Sequence, residues 1–142
     1  MTSALSVTRL IRASPERVFA AWTEPRLLTR WWGPGPVSCP EAHVDLRPGG
    51  EYRIANLAPG GSIIWISGRF EAVEPPQRLS YSWSVSLHPD ETSRVTVTFD
   101  DHPEGTRLEL RHERIGSEHL RDGHLLGWTG CLDKLDTLFA VS

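Results

Sequence analysis

The chain has 142 residues, of which 39% are hydrophobic and 23% are charged, and its net charge is −3. This length and composition are typical of one globular domain spanning residues 1–142. The net charge gives no electrostatic support for general binding to nucleic acid or to an anionic membrane, and no apolar run approaches the roughly 20 residues of a membrane span. Residues 1–6 lack a signal-peptide pattern and two cysteines make no disulfide framework, so we expect a cytoplasmic protein with reduced thiols.

The first thirty residues predict one strand followed by two short helices. Apolar residues alternate with polar ones over residues 5–11, a pattern typical of a strand. Ser14 and Pro15 then combine a favourable helix N-cap with proline at the first helical position. Pro25 interrupts the apolar stripe that follows, so we expect it to separate this helix from a second, shorter one.

Trp31 and Trp32 are followed by Gly33-Pro34-Gly35-Pro36, whose glycines and prolines exclude regular structure. We interpret the adjacent tryptophans as packing residues, and the alternative is a mobile lid over a cavity. Six tryptophans in one chain favour an apolar pocket wall, because tryptophan is difficult to place in a tight core.

The middle of the chain predicts six further strands, at residues 42–46, 51–57, 62–73, 79–86, 93–100 and 106–113. The clearest alternation covers residues 79–86, where large apolar side chains alternate with serines, so the apolar set should face the core. In the preceding strand we expect Phe70 and Ala72 to face inward. All four residues at 63–66 are apolar, so alternation does not assign their faces, and a bulge at Gly68 would change them.

Residues 117–140 predict a long amphipathic helix. At 100° per residue, eight side chains fall on one broad arc that needs a partner surface: Leu120, His124, Trp128, Cys131, Leu132, Leu135, Leu138 and Phe139. Gly123, Gly127 and Gly130 form a stripe along the flank of this arc. Because each glycine costs about 1 kcal/mol relative to alanine in a helix interior, the stripe indicates close approach of the sheet edge or the short helices.

These elements together predict an α+β fold. A seven-stranded antiparallel sheet wraps around the long C-terminal helix, and two short helices follow the first strand. A cavity is expected in the gap between sheet and helix, with the two short helices near its mouth.

Several short motifs occur along the chain in a fixed order: Pro15-Glu16-Arg17-Val18-Phe19, Trp31-Trp32-Gly33-Pro34, Asp45-Leu46-Arg47-Pro48-Gly49-Gly50, Glu74-Pro75-Pro76-Gln77-Arg78-Leu79, and Gly127-Trp128 with Leu132 and Leu135. The ordered set covers essentially the whole chain and resembles the family related to the activator of heat-shock-protein-90 ATPase, within the START-like (SRPBCC) superfamily of helix-grip folds. The resemblance implies a cavity of the kind that this superfamily uses for lipids, polyketides, flavonoids and other hydrophobic small molecules. It implies no defined activity, and we discount an ATPase-activating role because chaperone-activating members use extra regions for which this chain has little room.

We therefore predict binding of a hydrophobic small molecule, aromatic or polyketide- or lipid-like, between the sheet and the C-terminal helix. The predicted ligand-binding residues are Trp32, Tyr52, Phe70, Tyr81, Trp83, His112, His124 and Trp128. We assign no catalytic residue, no metal site and no cofactor, and the sequence does not determine the oligomeric state.

Two other functions remain open at this point. The first is an enzyme of cyclase or dehydratase type, in which His124 or His112 acts as general acid or base with Tyr81 as a partner. The second is a stress-related protein-interaction module that uses the outer sheet face or the Trp31-Trp32 loop, and an exposed tryptophan pair would favour it.

Overall fold

The computed structural model of the protein describes residues 2–140. Its elements are β1 (Ser3–Ile11), α1 (Pro15–Thr23), α2 (Pro25–Trp31), β2 (Ala42–Val44), β3 (Glu51–Leu57), β4 (Ile63–Glu74), β5 (Arg78–Val85), β6 (His88–His102), β7 (Gly105–Ile115) and α3 (Glu118–Ala140). The predicted α+β fold is confirmed. Four strands differ in length from the prediction. β1 and β7 are longer by a few residues, and β2 ends at Val44. β6 begins well before Ser93 because His88 already pairs with Val85, although this polar stretch shows no alternation.

The seven strands form one antiparallel sheet in the order β1-β7-β6-β5-β4-β3-β2. Alternation in β5 buries Leu79, Tyr81 and Trp83 on the inner face of the sheet, as predicted. The backbone of α3 contacts β1 and β7, near one edge of the sheet. The inner faces of β3, β4 and β5 lie farther from the helix, so this is where the gap between sheet and helix is widest.

A β-bulge in β4 changes which side chains face the core. Gly68 lies in regular pairing, and the register shift occurs between Phe70 and Ala72 instead. Phe70 is buried as predicted, but Val73, which pairs with Leu79, packs against the core beyond the shift. The prediction that Ala72 faces inward was therefore wrong, because one extra residue in a strand moves every following side chain to the opposite face.

The structure also assigns the faces of the apolar run at the start of β4. Ile64 and Ile66 point to the inner side, where they line a cavity. Trp65 lies on the outer face, with the Arg53 guanidinium 4.3 Å from its ring centroid. Ile63, on the same side as Trp65, is 48% exposed.

α3 is held to the rest of the fold by its apolar arc and by one charged contact. Trp128, Leu132 and Leu135 of this arc are buried. On the flank of the helix, an Arg9 guanidinium nitrogen from β1 lies 3.0 Å from an Asp133 carboxylate oxygen and 2.6 Å from one of Asp136. These contacts fasten the C-terminal half of α3 to β1 and leave the N-terminal half opposite the wider part of the sheet.

Candidate functional site

A cavity of about 200 Å³ lies between the N-terminal half of α3 and the inner faces of β3, β4 and β5. Its wall is almost entirely apolar and consists of Trp32, Pro34, Asn56, Ile64, Ile66, Trp83, Val85, Leu87, Gly123, His124, Gly127, Trp128 and Cys131. Leu87, in the turn between β5 and β6, is 64% exposed, so this end of the wall borders solvent. The sheet, the helix and the segment after α2 thus enclose a space that is reached from the surface.

Three tryptophans from three separate parts of the chain form the centre of this wall. The ring centroids of Trp32 and Trp128 are 5.4 Å apart, those of Trp83 and Trp128 are 5.1 Å apart, and those of Trp32 and Trp83 are 6.1 Å apart. All three side chains are nearly fully buried. They form a contiguous aromatic surface of the kind that binds planar apolar molecules.

Hydrogen bonds fix two of these three indoles. The Trp32 Nε1–H donates to Asn56 Oδ1 at 3.0 Å, and the Trp128 Nε1–H donates to His112 Nδ1 at 3.1 Å. The Trp83 Nε1–H is buried and has no hydrogen-bond partner among the described residues. Trp32 and Trp128 are therefore positioned before any ligand arrives, whereas Trp83 keeps an unused donor.

His112 is a neutral residue that positions Trp128. An indole N–H can only donate, so the His112 Nδ1 that accepts from it carries no proton. Nε2 then carries the proton and donates to Ser93 Oγ at 2.7 Å. Burial, with a smaller contribution from the neighbouring His124, lowers the pKa of His112 to about 3. Both ring nitrogens are thus already engaged within the protein.

His124 lies at the cavity wall with its ring stacked on that of His112, at a centroid distance of 4.8 Å. It is half-buried, and within residues 2–140 neither of its ring nitrogens forms a protein hydrogen bond. Burial lowers its pKa, His88 acts in the same direction and Glu91 opposes the shift. At neutral pH, His124 therefore presents an uncharged imidazole with one free donor and one free acceptor.

The other predicted site residues lie around a different space. Tyr52, Phe70 and Tyr81 border a gap of about 10 Å³, which is at most the size of one water molecule. The Tyr52 hydroxyl donates to the Ser82 carbonyl oxygen at 2.6 Å, and the Tyr81 hydroxyl accepts from Trp22 Nε1 at 3.1 Å. The structure thus brings Trp32, Trp83, His124 and Trp128 to the larger cavity, places His112 behind Trp128, and leaves these three aromatics in the adjoining core.

Comparison with known proteins identifies the family. The model of the family described as Activator of Hsp90 ATPase homolog 1-like protein matches residues 12–140. The chain belongs to this family. The resemblance stated from the sequence is therefore confirmed, and membership supports a ligand-binding fold in general.

Solved structures of similar proteins share the whole fold. A protein from Chromobacterium violaceum is 27% identical, with 99% of each chain covered and a TM-score of 0.88. The AHSA1 protein from Silicibacter pomeroyi is 27% identical, with 98% of this chain and 99% of that chain covered and a TM-score of 0.87. A protein from Nitrosomonas europaea is 26% identical, with 95% and 92% covered and a TM-score of 0.81. The curated proteins contain no match to this chain.

In this member of the Activator of Hsp90 ATPase homolog 1-like family, the Trp31-Trp32 pair is packed inside the fold. Both side chains are nearly fully buried, and the Trp31 Nε1–H donates to the Ala21 carbonyl oxygen at 2.9 Å. The segment that follows is held to α3, because Lys134 Nζ donates to the Val37 carbonyl oxygen at 2.6 Å. Trp31 and Trp32 thus do not form an exposed pair for a protein partner, and their geometry supports the packing interpretation.

Among residues 2–140, neither a charged side chain nor a metal cluster is found at the cavity of this family member. No aspartate, glutamate, lysine or arginine is among the wall residues. In the part of the chain that the structure describes, no three His, Cys, Asp or Glu side chains are grouped so that they could hold a metal ion. Burial raises the pKa of the Cys131 thiol to about 11, so this wall residue remains protonated.

None of the helices between residues 2 and 140 combines the length and the apolar character needed to cross a membrane.

Sequence reasoning missed one polar residue of the cavity, Asn56. The signal was present, because Tyr52, Ile54 and Asn56 follow the two-residue period of β3 and therefore share its inner face. Ile64 and Ile66 were missed because the apolar run at 63–66 has no alternation. Pro34 belongs to the wall because its segment lies close to Gly130 of α3, a contact between distant parts of the chain. The close approach expected along the glycine stripe thus comes from the segment after α2 rather than from the sheet edge or the short helices, and a Cβ at Gly123 would meet open space.

Proposed function

We propose that the protein binds a small aromatic molecule in the cavity between α3 and the sheet. The observation that carries this proposal is the apolar cavity of about 200 Å³ centred on the surface formed by Trp32, Trp83 and Trp128. Aromatic pairs contribute about 0.5–1.5 kcal/mol beyond the burial of their area, so a planar ring gains more here than an aliphatic group of the same size.

The cavity volume limits the size of the ligand. An apolar cavity of about 150 Å³ is large enough to bind benzene, whereas sites for drug-sized ligands occupy about 300–1,000 Å³. At about 200 Å³ the cavity accommodates one aromatic ring with short substituents, or two fused rings. Among the molecules first considered, small aromatics therefore fit the cavity better than extended polyketides or long-chain lipids.

The arrangement of the histidines favours binding over acid–base catalysis. Both nitrogens of His112 are engaged by Ser93 and Trp128, so His112 has no free position for proton transfer. Only His124 offers a free nitrogen, and no carboxylate lines the cavity beside it. The Tyr81 hydroxyl, considered as a partner for the histidines, is engaged by Trp22 instead. An enzymatic role would thus rest on His124, with the Glu91 carboxylate as an acidic neighbour that borders an adjoining gap of about 30 Å³ together with His124.

Calorimetric titration with para-ethyltoluene, a single apolar ring, tests this proposal. We expect saturable binding with one site per chain. Gly127 lines the cavity, and a Cβ built there meets only Pro34 Cγ at 4.0 Å, so Gly127→Leu should fill the space without straining the backbone. This variant should lose at least tenfold in affinity.

Thr129→Leu is the matched control, because it introduces the same side chain at an exposed position of the same helix. It should bind para-ethyltoluene as the wild type does. Absence of saturable binding in the wild type, or equal affinity in Gly127→Leu, would overturn the proposal. Circular dichroism of both variants establishes that α3 is intact.

A further inference from the structure

The cavity wall contains polar groups whose hydrogen-bonding capacity the protein itself does not use. We infer that the ligand is an uncharged aromatic that carries a hydrogen-bond acceptor, such as a carbonyl oxygen, for the Asn56 amide and a hydroxyl for His124. This inference rests on the proposed function and specifies the chemical class of its ligand.

The orientation of the Asn56 amide follows from its partner. Because the Trp32 indole N–H can only donate, the atom that it meets at 3.0 Å must be the amide oxygen of Asn56. The amide nitrogen then lies on the other branch of the side chain, and its two N–H donors have no acceptor among the described residues. Asn56 is half-buried and lines the cavity, so these donors are available to a bound molecule.

His124 supplies the second polar contact at another corner of the aromatic surface. Its ring lies 6.0 Å from that of Trp83, while Asn56 is bonded to Trp32, and the Trp32 and Trp83 centroids are 6.1 Å apart. A molecule in contact with both polar groups therefore spans the apolar surface between them. This geometry matches a ring with two polar substituents better than a ring with one.

The composition of the wall excludes a charged ligand. No lining residue carries an opposite charge for a carboxylate or an ammonium group, and burying an unpaired ion is far more costly than burying a neutral group. The negative charge of Glu91, which acts on His124, makes the part of the cavity near His124 still less favourable for an anion. The wall thus offers hydrogen-bonding groups at Asn56 and His124 without any charge among its described residues, so neutral molecules that carry an acceptor complement it.

Four para-disubstituted benzenes of nearly equal size separate these contributions at pH 7. They are para-ethyltoluene, which has no polar group; para-methylacetophenone, which has a carbonyl acceptor; para-ethylphenol, which has a hydroxyl; and para-toluate, which is an anion. We expect the ketone and the phenol to bind about three- to tenfold more tightly than para-ethyltoluene, the gain typical of one hydrogen bond. Para-toluate should bind at least tenfold more weakly.

Two variants assign each gain to its residue. Asn56→Leu keeps the size of the side chain but has no amide donor, so it should remove the advantage of para-methylacetophenone over para-ethyltoluene while leaving that of para-ethylphenol. His124→Phe keeps a ring that stacks on His112 and meets Trp83 edge-on, and it should remove the advantage of para-ethylphenol while leaving that of para-methylacetophenone. Because para-ethyltoluene forms no hydrogen bond, its affinity for each variant is the reference against which the gain of the ketone or the phenol in that variant is measured.

The outcomes distinguish the inference from the function on which it rests. If none of the four compounds binds, the proposed function itself fails. If para-ethyltoluene binds but the ketone, the phenol and para-toluate bind equally well, the cavity is a ligand site without the polar selectivity, and the inference is overturned. Gains that survive in both variants would also overturn it.

Discussion

The buried His112 side chain allows a sharp test of how the aromatic wall is held. In His112→Phe the ring is retained, but Trp128 Nε1 and Ser93 Oγ lose the partners that they meet at 3.1 and 2.7 Å. Leaving a buried donor unsatisfied costs about 1–3 kcal/mol, and Ser93 is near enough to the surface to find water. We therefore expect the free energy of unfolding to fall by about 2 kcal/mol at pH 7.5.

The size of this loss should depend on pH. Because the pKa of His112 is lowered to about 3, its ring stays neutral in the folded protein while the unfolded chain binds a proton below about pH 6.5. The stability due to the neutral ring is thus complete above pH 6.5 and is lost as the pH falls toward 3, by up to about 1.4 kcal/mol per pH unit. Phenylalanine does not titrate, so the difference between wild type and His112→Phe should shrink by about 2 kcal/mol between pH 7.5 and pH 5.

Denaturation in urea, followed by far-ultraviolet circular dichroism at pH 7.5, 6 and 5, measures both effects. His119→Phe removes an imidazole at an exposed position of α3 and should keep the pH dependence of the wild type. A constant difference between wild type and His112→Phe at all three pH values would refute the reasoning, because it would mean that His112 takes up a proton as readily in the folded as in the unfolded chain.

Three further predictions concern α3 and its surroundings. Gly123→Ala should raise the melting temperature, because a Cβ at this position meets open space and alanine is up to about 1 kcal/mol more favourable than glycine in a helix. Gly130→Ala should not raise it, because its Cβ would lie 2.8 Å from Pro34 Cβ. Equal melting temperatures would contradict this contrast. Arg9→Met should lower the free energy of unfolding by about 1 kcal/mol, since its contacts with two aspartates of α3 are partly exposed, and 1 M salt should reduce the difference. The affinity for para-ethylphenol should be constant above pH 6.5. It should weaken below this pH as His124, whose pKa is lowered, gains a proton. The variant His124→Phe should lack this pH dependence.

Local patterns determined most of the fold. The serine alternation of β5, the Ser14-Pro15 start of α1 and the apolar arc of α3 each depend on one element, and the structure bears them out. The bulge after Phe70 has no such local signal. It moves Val73 rather than Ala72 toward the core, through the pairing of β4 with β5.

The sequence does not predict that the expected site residues lie around two separate spaces. Alternation and helical periodicity place aromatic residues on the inner face, but they do not give the volume that remains between them. Tyr52 and Tyr81 fill their surroundings, whereas Trp83 and Trp128 border an open cavity. Asn56 shares the inner face of β3 with Tyr52, yet only its contact with Trp32 shows which of its atoms is free.

The indole N–H resonances of a nitrogen-15-labelled sample test the central claim most directly, because each tryptophan gives its own signal. On titration with para-ethyltoluene, we expect shifts for Trp32, Trp83 and Trp128, which line the cavity. Trp31, bonded to the Ala21 carbonyl, and Trp65, on the outer face of β4, should remain unchanged. Shifts confined to Trp65, or no shifts at saturating ligand, would contradict binding in this cavity.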